Sequence, residues 1–165
     1  MHELLDSLSP LAHDARLDVA LRKAETSLIA HGPREAPIGT ARLKMLAEKM
    51  VAFMAEPEFA PLFGASALSE FGISGIVGTR PVVGQIDKLL VTDEALWLVD
   101  FKSGRPQADN VPQSYLLQMA LYAALLRDIY PDKKMRVEII WLRDISRSSL
   151  SQERLQEALV QAGII

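Results

Sequence analysis

An apolar helical segment between two strand-like segments constrains this chain more than any other feature. Residues from about 113 to 130 are apolar on nearly every helical face, which is typical of a helix buried among other elements. Pro131 follows directly and cannot continue the helix. Strand-like patterns lie on both sides, at residues 96–101 and 135–141. A buried helix that joins two strands is a crossover connection, so we predict an α/β or α+β domain.

The remaining segments place helices first and a sheet second. Helical patterns cover residues 14–30 and a stretch that begins at Thr40, whereas residues 68–76 and 82–91 resemble strands. A last amphipathic helix begins at about Ser151. The length of 165 residues suits one domain. We therefore expect a single domain over residues 1–165, with a helical part of about 1–63 and a sheet-bearing core of about 64–165.

The composition excludes several classes of protein. Hydrophobic residues make up 49% and charged residues 24%, the balance of an ordinary globular domain. The formal net charge of −3 excludes nucleic-acid binding through bulk positive charge, so any such contact has to be local. The absence of cysteine excludes disulfides, cysteine nucleophiles and iron–sulfur clusters. Neither a signal peptide nor a membrane-spanning run is present, so we expect a cytoplasmic protein with no membrane partner.

The two strands before the apolar helix each carry an aspartate. If Asp93 and Glu94 form a two-residue turn, Asp87 faces Asp100 with Cβ atoms about 4.5–5.5 Å apart. Lys102 lies on the same face as Asp100, because side chains alternate along a strand. Facing carboxylates repel each other unless a cation lies between them, which indicates a site for a hard divalent cation. The alternative is a solvated Asp100–Lys102 ion pair, the commoner role of an Asp-x-Lys pattern on its own.

The apolar helix carries two polar groups one turn apart, Gln118 and Tyr122. Residues at this spacing share a helical face, and a buried amide needs hydrogen-bond partners. Two interpretations stay open from these residues alone. Either Gln118 satisfies a loop backbone and Tyr122 is ordinary core, or both face the carboxylate cleft and hold its contents.

Three segments taken together resemble a known family. They read Gly84-Gln85-Ile86-Asp87, Val99-Asp100-Phe101-Lys102-Ser103-Gly104 and Gln118-Met119-Ala120-Leu121-Tyr122. Their order and spacing are similar to the C-terminal motifs of RecB-like nucleases in the PD-(D/E)XK superfamily. They are most similar to the C-terminal nuclease domain of AddA-type helicase–nucleases, over residues 68–141. The resemblance implies an α/β, restriction-endonuclease-like fold with a mixed central sheet flanked by helices.

The resemblance also implies a reaction centre. Asp87 and Asp100 would bind the metal ion, together with the backbone carbonyl of Phe101. Lys102 would position or polarise the attacking water and offset negative charge on the phosphate. Oxygen and imidazole ligands without thiolate suit Mg²⁺, with Mn²⁺ also possible.

Further residues acquire roles only through the resemblance. Gln118 and Tyr122 would support the active site or the DNA backbone. A family histidine in a His-x-Leu-Leu-like helix corresponds to His2, which would be a metal ligand; the alternative is a frayed terminal residue. A family glutamate at the start of the first strand corresponds to Glu70. The best local candidate for a phosphate contact is Ser103-Gly104-Arg105.

The function implied by the resemblance is that of a Mg²⁺-dependent DNA exonuclease in double-strand-break repair. The chain would be a C-terminal fragment of an AddAB-type helicase–nuclease. Its partners would be DNA, expected to be single-stranded, helicase domains upstream in the same polypeptide and an AddB-like subunit. We expect no ATP site in this chain, because it has no Gly-x-x-x-x-Gly-Lys-Ser/Thr loop. We also expect no iron–sulfur cluster, which separates the chain from AddB itself.

Two alternatives belong to other functional classes. The first is a non-catalytic DNA-binding or scaffolding module of the same fold. It is disfavoured because Asp87, Asp100 and Lys102 are all present, whereas relatives that lose chemistry usually lose one of them. The second is a protein-interaction domain in which Asp100 and Lys102 form a surface ion pair, and it predicts no metal binding.

Overall fold

The structure is a computed structural model that describes residues 8, 11, 15, 16, 18–22, 40–104, 111–143 and 145–165. The chain divides into two compact units, Met1–Ala65 and Ser66–Ile165. The described part of the chain contains no helix that is both long and apolar enough to cross a membrane.

The described part of the first unit is mainly helical. Residues 15, 16 and 18–22 are helical, as predicted, and helix α1 spans Thr40–Ala55. A short 3₁₀-helix follows at Ala60–Phe63 and has a proline in its first turn, where no intrahelical donor is needed. The rings of Phe53 and Phe63 pack edge to face with centroids 5.6 Å apart, which links α1 to the 3₁₀-helix.

The second unit is a mixed five-stranded sheet in the order β1-β2-β3-β4-β5. The strands span Ala67–Val77, Arg80–Val91, Ala95–Lys102, Lys134–Trp141 and Ser146–Ser149. Strands β3 and β4 pair in parallel and the other neighbours pair antiparallel. With helix α2 at Gln113–Ile129 and helix α3 at Gln152–Gln161, the predicted mixed sheet with flanking helices is confirmed.

Helix α2 is the crossover between the parallel strands, as its apolar character predicts. Its buried residues belong to the same core cluster as residues of every strand from β1 to β4. The contact with β1 depends on Gly75, because a Cβ built there would lie 2.6 Å from the Leu125 Cδ2 atom. Helix α3 packs Leu155 and Leu159 into this core, and Ser151 caps it by accepting the Arg154 N–H.

The turn between β2 and β3 is the predicted two-residue turn at Asp93 and Glu94. The Thr92 N–H donates to the Ala95 carbonyl at 2.9 Å, which closes it. The turn lacks the Asn-Gly or Asp-Gly pair that hairpins favour. Lys133 stabilises it instead, since its Nζ donates to the carbonyls of Thr92 and Asp93 at 2.6 and 2.7 Å.

Candidate active site

Asp87 lies on β2 where the pairing of this strand with β3 stops. The paired residues run from Val91 with Leu96 to Lys88 with Val99, which is the predicted register. One step further, the same register brings Asp87 level with Asp100. There Asp87 Oδ2 accepts the backbone N–H of Phe101 at 2.7 Å. The side chain of Asp87 is therefore tied directly to the β3 residue that follows Asp100.

The pairing of β2 with β1 is interrupted at the same level. Ser69 pairs with Lys88 and Phe71 with Ile86, and Glu70 and Asp87 lie between these pairs. Glu70 has a φ of 49°, in the left-handed region that a residue with a Cβ rarely adopts. Its side chain is exposed. The sheet is thus irregular on both sides of Asp87, and strained backbone of this kind is concentrated at functional sites.

Asp100 and Lys102 form an ion pair that is largely shielded from solvent. The Lys102 Nζ atom lies 2.7 Å from Asp100 Oδ2, and Asp100 is only 3% exposed. Solvent and salt screen such a pair less than an exposed one. The pair is therefore not the solvated surface pair that an Asp-x-Lys pattern alone would favour.

Helix α2 brings two more of the predicted residues to Lys102. The Lys102 ammonium donates to Gln118 Oε1 at 3.3 Å, and Gln118 Nε2 donates to the Tyr122 hydroxyl oxygen at 3.3 Å. Gln118 therefore faces the carboxylate cleft rather than a loop backbone. A connected polar chain runs from Asp100 through Lys102 and Gln118 to Tyr122, within an otherwise apolar interface.

Gly84 allows Tyr122 to reach this position. A Cβ built on Gly84 would lie 2.6 Å from the Tyr122 Cζ atom and closer still to the hydroxyl oxygen, so a side chain and the ring cannot both occupy this space. Tyr122 is buried against β2 at this point. The glycine that begins the first motif is explained by a close approach between strand and helix, a reason that sequence reasoning did not supply.

Tyr115 belongs to the site although the sequence analysis assigned it only to the apolar helix. The Lys102 Nζ atom lies 4.6 Å from the centroid of the Tyr115 ring. The ring also packs against Trp141, with centroids 6.2 Å apart. A sequence signal for this contact exists, because Tyr115 precedes Gln118 by three residues and so shares its helical face.

The donor set at this level of the sheet fits a hard divalent cation. The carboxylates of Asp87 and Asp100 come from adjacent strands. The carbonyl of Phe101 points to the β2 side, as its N–H does, because both groups of a strand residue project to the same neighbour. Oxygen donors of this kind suit Mg²⁺ or Mn²⁺. Within the described ranges, no three His, Cys, Asp or Glu side chains are grouped closely enough to hold a metal ion.

The remaining predicted residues are placed only in part. Ser103 and Gly104 follow β3 directly at its Lys102 end. The metal ligand predicted at His2 lies outside the described residues, and so does Arg105 of the predicted phosphate contact. Their roles stay predictions, as does that of Glu70.

Comparison with known proteins identifies the family. A model of the PD-(D/E)XK nuclease superfamily, whose members typically use divalent metals, matches residues 1–162. No curated protein matches the chain. A crystal structure of SSO0001 is similar with 16% sequence identity and a TM-score of 0.38, covering 88% of this chain and 85% of that chain. With a family model that matches nearly its whole length, the chain belongs to the PD-(D/E)XK nuclease superfamily, the superfamily that its motifs resemble.

Proposed function

We propose that this chain is a divalent-metal-dependent DNA nuclease domain with its reaction centre at Asp87, Asp100 and Lys102. The observation that carries the proposal is the Asp100–Lys102 ion pair, with Asp100 buried and Lys102 partly buried, at the level of the sheet where Asp87 accepts the Phe101 N–H. Asp87 and Asp100 lie where the pairing of β2 with β3 stops, so their carboxylates and the Phe101 carbonyl are available to one site between these strands. Membership of the superfamily supplies the reaction class, phosphodiester hydrolysis.

Hydrolysis of a phosphodiester requires a nucleophilic water and stabilisation of negative charge that develops on the phosphate. Asp87, Asp100 and the Phe101 carbonyl would hold a divalent ion, which lowers the pKa of a bound water and polarises a phosphoryl oxygen. Lys102 places a positive charge beside the same phosphate and orients the water. A preorganised charge in a partly dry site is worth far more than the same charge in water.

The α2 residues keep Lys102 in place rather than react. Gln118 accepts a hydrogen bond from the ammonium, and its amide is fixed in turn by Tyr122. Tyr122 is fixed by its fit against Gly84. In this proposal, Gln118 and Tyr122 therefore support the catalytic residues through a relay of contacts, which is consistent with the role implied by the motif resemblance.

We further propose the finer assignment that the motif resemblance supports. The chain would be one nuclease domain over residues 1–165 in an AddAB-type helicase–nuclease, an exonuclease that acts on single-stranded DNA in double-strand-break repair. Mg²⁺ would be its metal, with Mn²⁺ as a substitute. Helicase domains of the same polypeptide and an AddB-like subunit would be its partners, in the cytoplasm. The spacing of Asp87, Asp100, Gln118 and Tyr122 is what supports this assignment.

The test is cleavage of end-labelled single-stranded DNA by the parent chain and by Asp100→Ala and Lys102→Ala, with Mg²⁺, Mn²⁺ or EDTA. Asp93→Ala and Lys134→Ala are matched controls, because they remove the same charges at exposed positions outside the site. We expect metal-dependent cleavage by the parent and both controls, and none by the site variants. Equal cleavage by all five proteins would overturn the assignment. DNA binding and metal binding without cleavage would support the non-catalytic module instead.

A further inference from the structure

The Lys102 ammonium lies over the aromatic ring of Tyr115, a residue to which the motifs assign no role. The Nζ atom is 4.6 Å from the ring centroid, within the range in which a ring attracts a cation through its quadrupole. We propose that Tyr115 is a positioning residue for Lys102. The proposal deepens the proposed function and rests on Lys102 being the catalytic cation.

Lys102 needs such a contact because its side chain is long and flexible. An ammonium group on a four-carbon stem has no geometry of its own, and it is set by the groups around it. Among the described residues, three neighbours contact this one: the Asp100 carboxylate at 2.7 Å, the Gln118 carbonyl oxygen at 3.3 Å and the face of the Tyr115 ring. Two of the three neighbours come from α2 and carry no net charge.

The neutral neighbours have a consequence for the reaction. Asp100 would serve both Lys102 and the proposed metal ion, so its hold on the ammonium would weaken if a metal ion bound the same carboxylate. The ring of Tyr115 attracts the ammonium without binding a metal ion and without neutralising its charge. Tyr115 would therefore keep the Lys102 ammonium in place when a bound metal ion weakened the hold of Asp100 on it.

The Tyr115 ring is itself held by the sheet. It packs at 47° against the ring of Trp141, which is buried at 2% exposure. The Trp141 indole N–H donates to the Ser148 hydroxyl at 2.9 Å. The position of the Lys102 ammonium thus depends on β4 and β5 through Trp141 and Tyr115, in addition to the backbone pairing of Lys102 with Trp141.

The experiment compares Tyr115→Phe, which keeps the ring, with Tyr115→Leu, which removes it. We expect kcat to fall about 3- to 30-fold in Tyr115→Leu with KM nearly unchanged, and to stay within about twofold in Tyr115→Phe. Tyr130→Leu is the control for loss of a partly buried tyrosine, because Tyr130 lies at the C-cap of the same helix, away from the site, and it should leave kcat unchanged.

A spectroscopic readout tests the contact without any activity. A methylene group above an aromatic ring resonates upfield, so the ε-CH₂ signal of Lys102, assigned through Lys102→Arg in lysine-labelled protein, should be shifted upfield. The shift should persist in Tyr115→Phe and vanish in Tyr115→Leu. An unshifted signal, or a Tyr115→Leu variant with full kcat, overturns the proposal. If the parent cleaves no DNA, the proposed function fails, while the resonance still decides whether Tyr115 holds Lys102.

Discussion

Two buried carboxylates of the sheet, Asp100 and Glu138, differ in what surrounds them. Both are almost fully buried, at 3% and 1% exposure. Glu138 pairs with Val99, the residue before Asp100, so the two carboxylates lie on opposite faces of adjacent strands. Burial alone therefore does not separate a structural carboxylate from a chemical one, and their partners have to be compared.

Fixed donors of the sheet surround Glu138. The Trp97 indole N–H donates to Oε2 at 3.1 Å, the Ser149 hydroxyl donates to Oε1 at 2.7 Å, and Arg136 forms an ion pair at 3.0 Å. Arg136 also stacks on Trp97, with its guanidinium carbon 3.9 Å from the ring centroid. A buried carboxylate with this set of donors is compensated within the fold.

Asp100 lies in a different environment. Its cation, Lys102, is flexible and contacts α2, and a second carboxylate, that of Asp87, lies on the adjacent strand where pairing stops. Such an arrangement leaves negative charge that a metal ion can share. The comparison indicates that a buried carboxylate in a reaction centre has a flexible cationic partner and a second carboxylate nearby. A structural carboxylate such as Glu138 is instead held by donors fixed in the sheet.

The largest effect is expected when Lys102 is replaced by methionine, which keeps the length of the side chain and removes its charge. We expect kcat to fall by about 100-fold or more, because a preorganised charge is lost from the reaction centre. Asp100 also loses its cation, so saturating Mn²⁺ should raise the melting temperature more in this variant than in the parent. Cleavage kinetics and thermal melts with and without Mn²⁺ measure both effects. An unchanged kcat would contradict the assignment of Lys102.

Glu138→Gln should lower the stability of the fold and leave kcat nearly unchanged, the opposite of what we expect for Lys102→Met. The substitution keeps the shape of the side chain but leaves Arg136, whose side chain is 39% exposed, without its anion. It also removes one acceptor from the hydrogen bonds of Trp97 and Ser149, so we expect a loss of about 1–2 kcal/mol of unfolding free energy. We expect urea denaturation to show this loss, whereas the kcat of the folded protein should stay within about twofold of the parent value. A large loss of kcat with full stability would contradict the assignment of Glu138 as a structural carboxylate.

Gly84→Ala tests whether the close approach of Tyr122 to β2 supports the site. The added methyl group would collide with Tyr122, so we expect a loss of about 1–3 kcal/mol in stability together with reduced activity. Gly72→Ala is the matched control in the same hairpin, because a Cβ there meets nothing within 4 Å. Urea denaturation and the cleavage assay of both variants decide the point, and equal behaviour of the two alanine variants would count against the close contact.

The smallest effect is expected at Glu153, an exposed carboxylate in the first turn of α3. A hydrogen bond from its own backbone N–H, and then one from Ser151, hold its pKa below the ordinary value of 4.5. A lowered pKa stabilises the fold at pH values above the unfolded-state pKa, and this contribution is lost as the pH falls through the folded-state pKa. Glu153→Gln should therefore lower the melting temperature slightly at pH 7, and this difference should shrink as the pH falls below 4.5. A difference that grows as the pH falls would refute this origin.

The sequence predicts the fold well where apolar patterns are strong. The apolar runs of β2 and β3, with the turn residues between them, and the uniform apolarity of α2 place these elements and the hairpin register correctly. The sequence does not predict strand β5, because Ser-Arg-Ser-Ser carries no apolar alternation and is a strand only through its pairing with β4. Tertiary pairing, not local preference, forms such a strand.

The sequence also predicts only part of the candidate site. The strand periodicity and the two-residue turn predict that Asp87 lies level with Asp100, and helix periodicity predicts only that Gln118 and Tyr122 share a helical face. The ring of Tyr115 and the fit of Gly84 to Tyr122 depend on how α2 lies across the sheet, which no local pattern encodes. The sequence likewise does not predict the left-handed φ of Glu70, because glutamate rarely adopts this conformation.

The central claim is that Asp87 and Asp100 together bind a divalent cation, and a calorimetric titration of Mn²⁺ tests it most directly. The parent chain should bind Mn²⁺ in a titration that EDTA reverses. The Asp87→Asn and Asp100→Asn variants, which keep the shape of each side chain, should each lose most of that binding while remaining folded by circular dichroism. Binding of equal strength in the parent and in both folded variants would contradict a metal site at these two carboxylates.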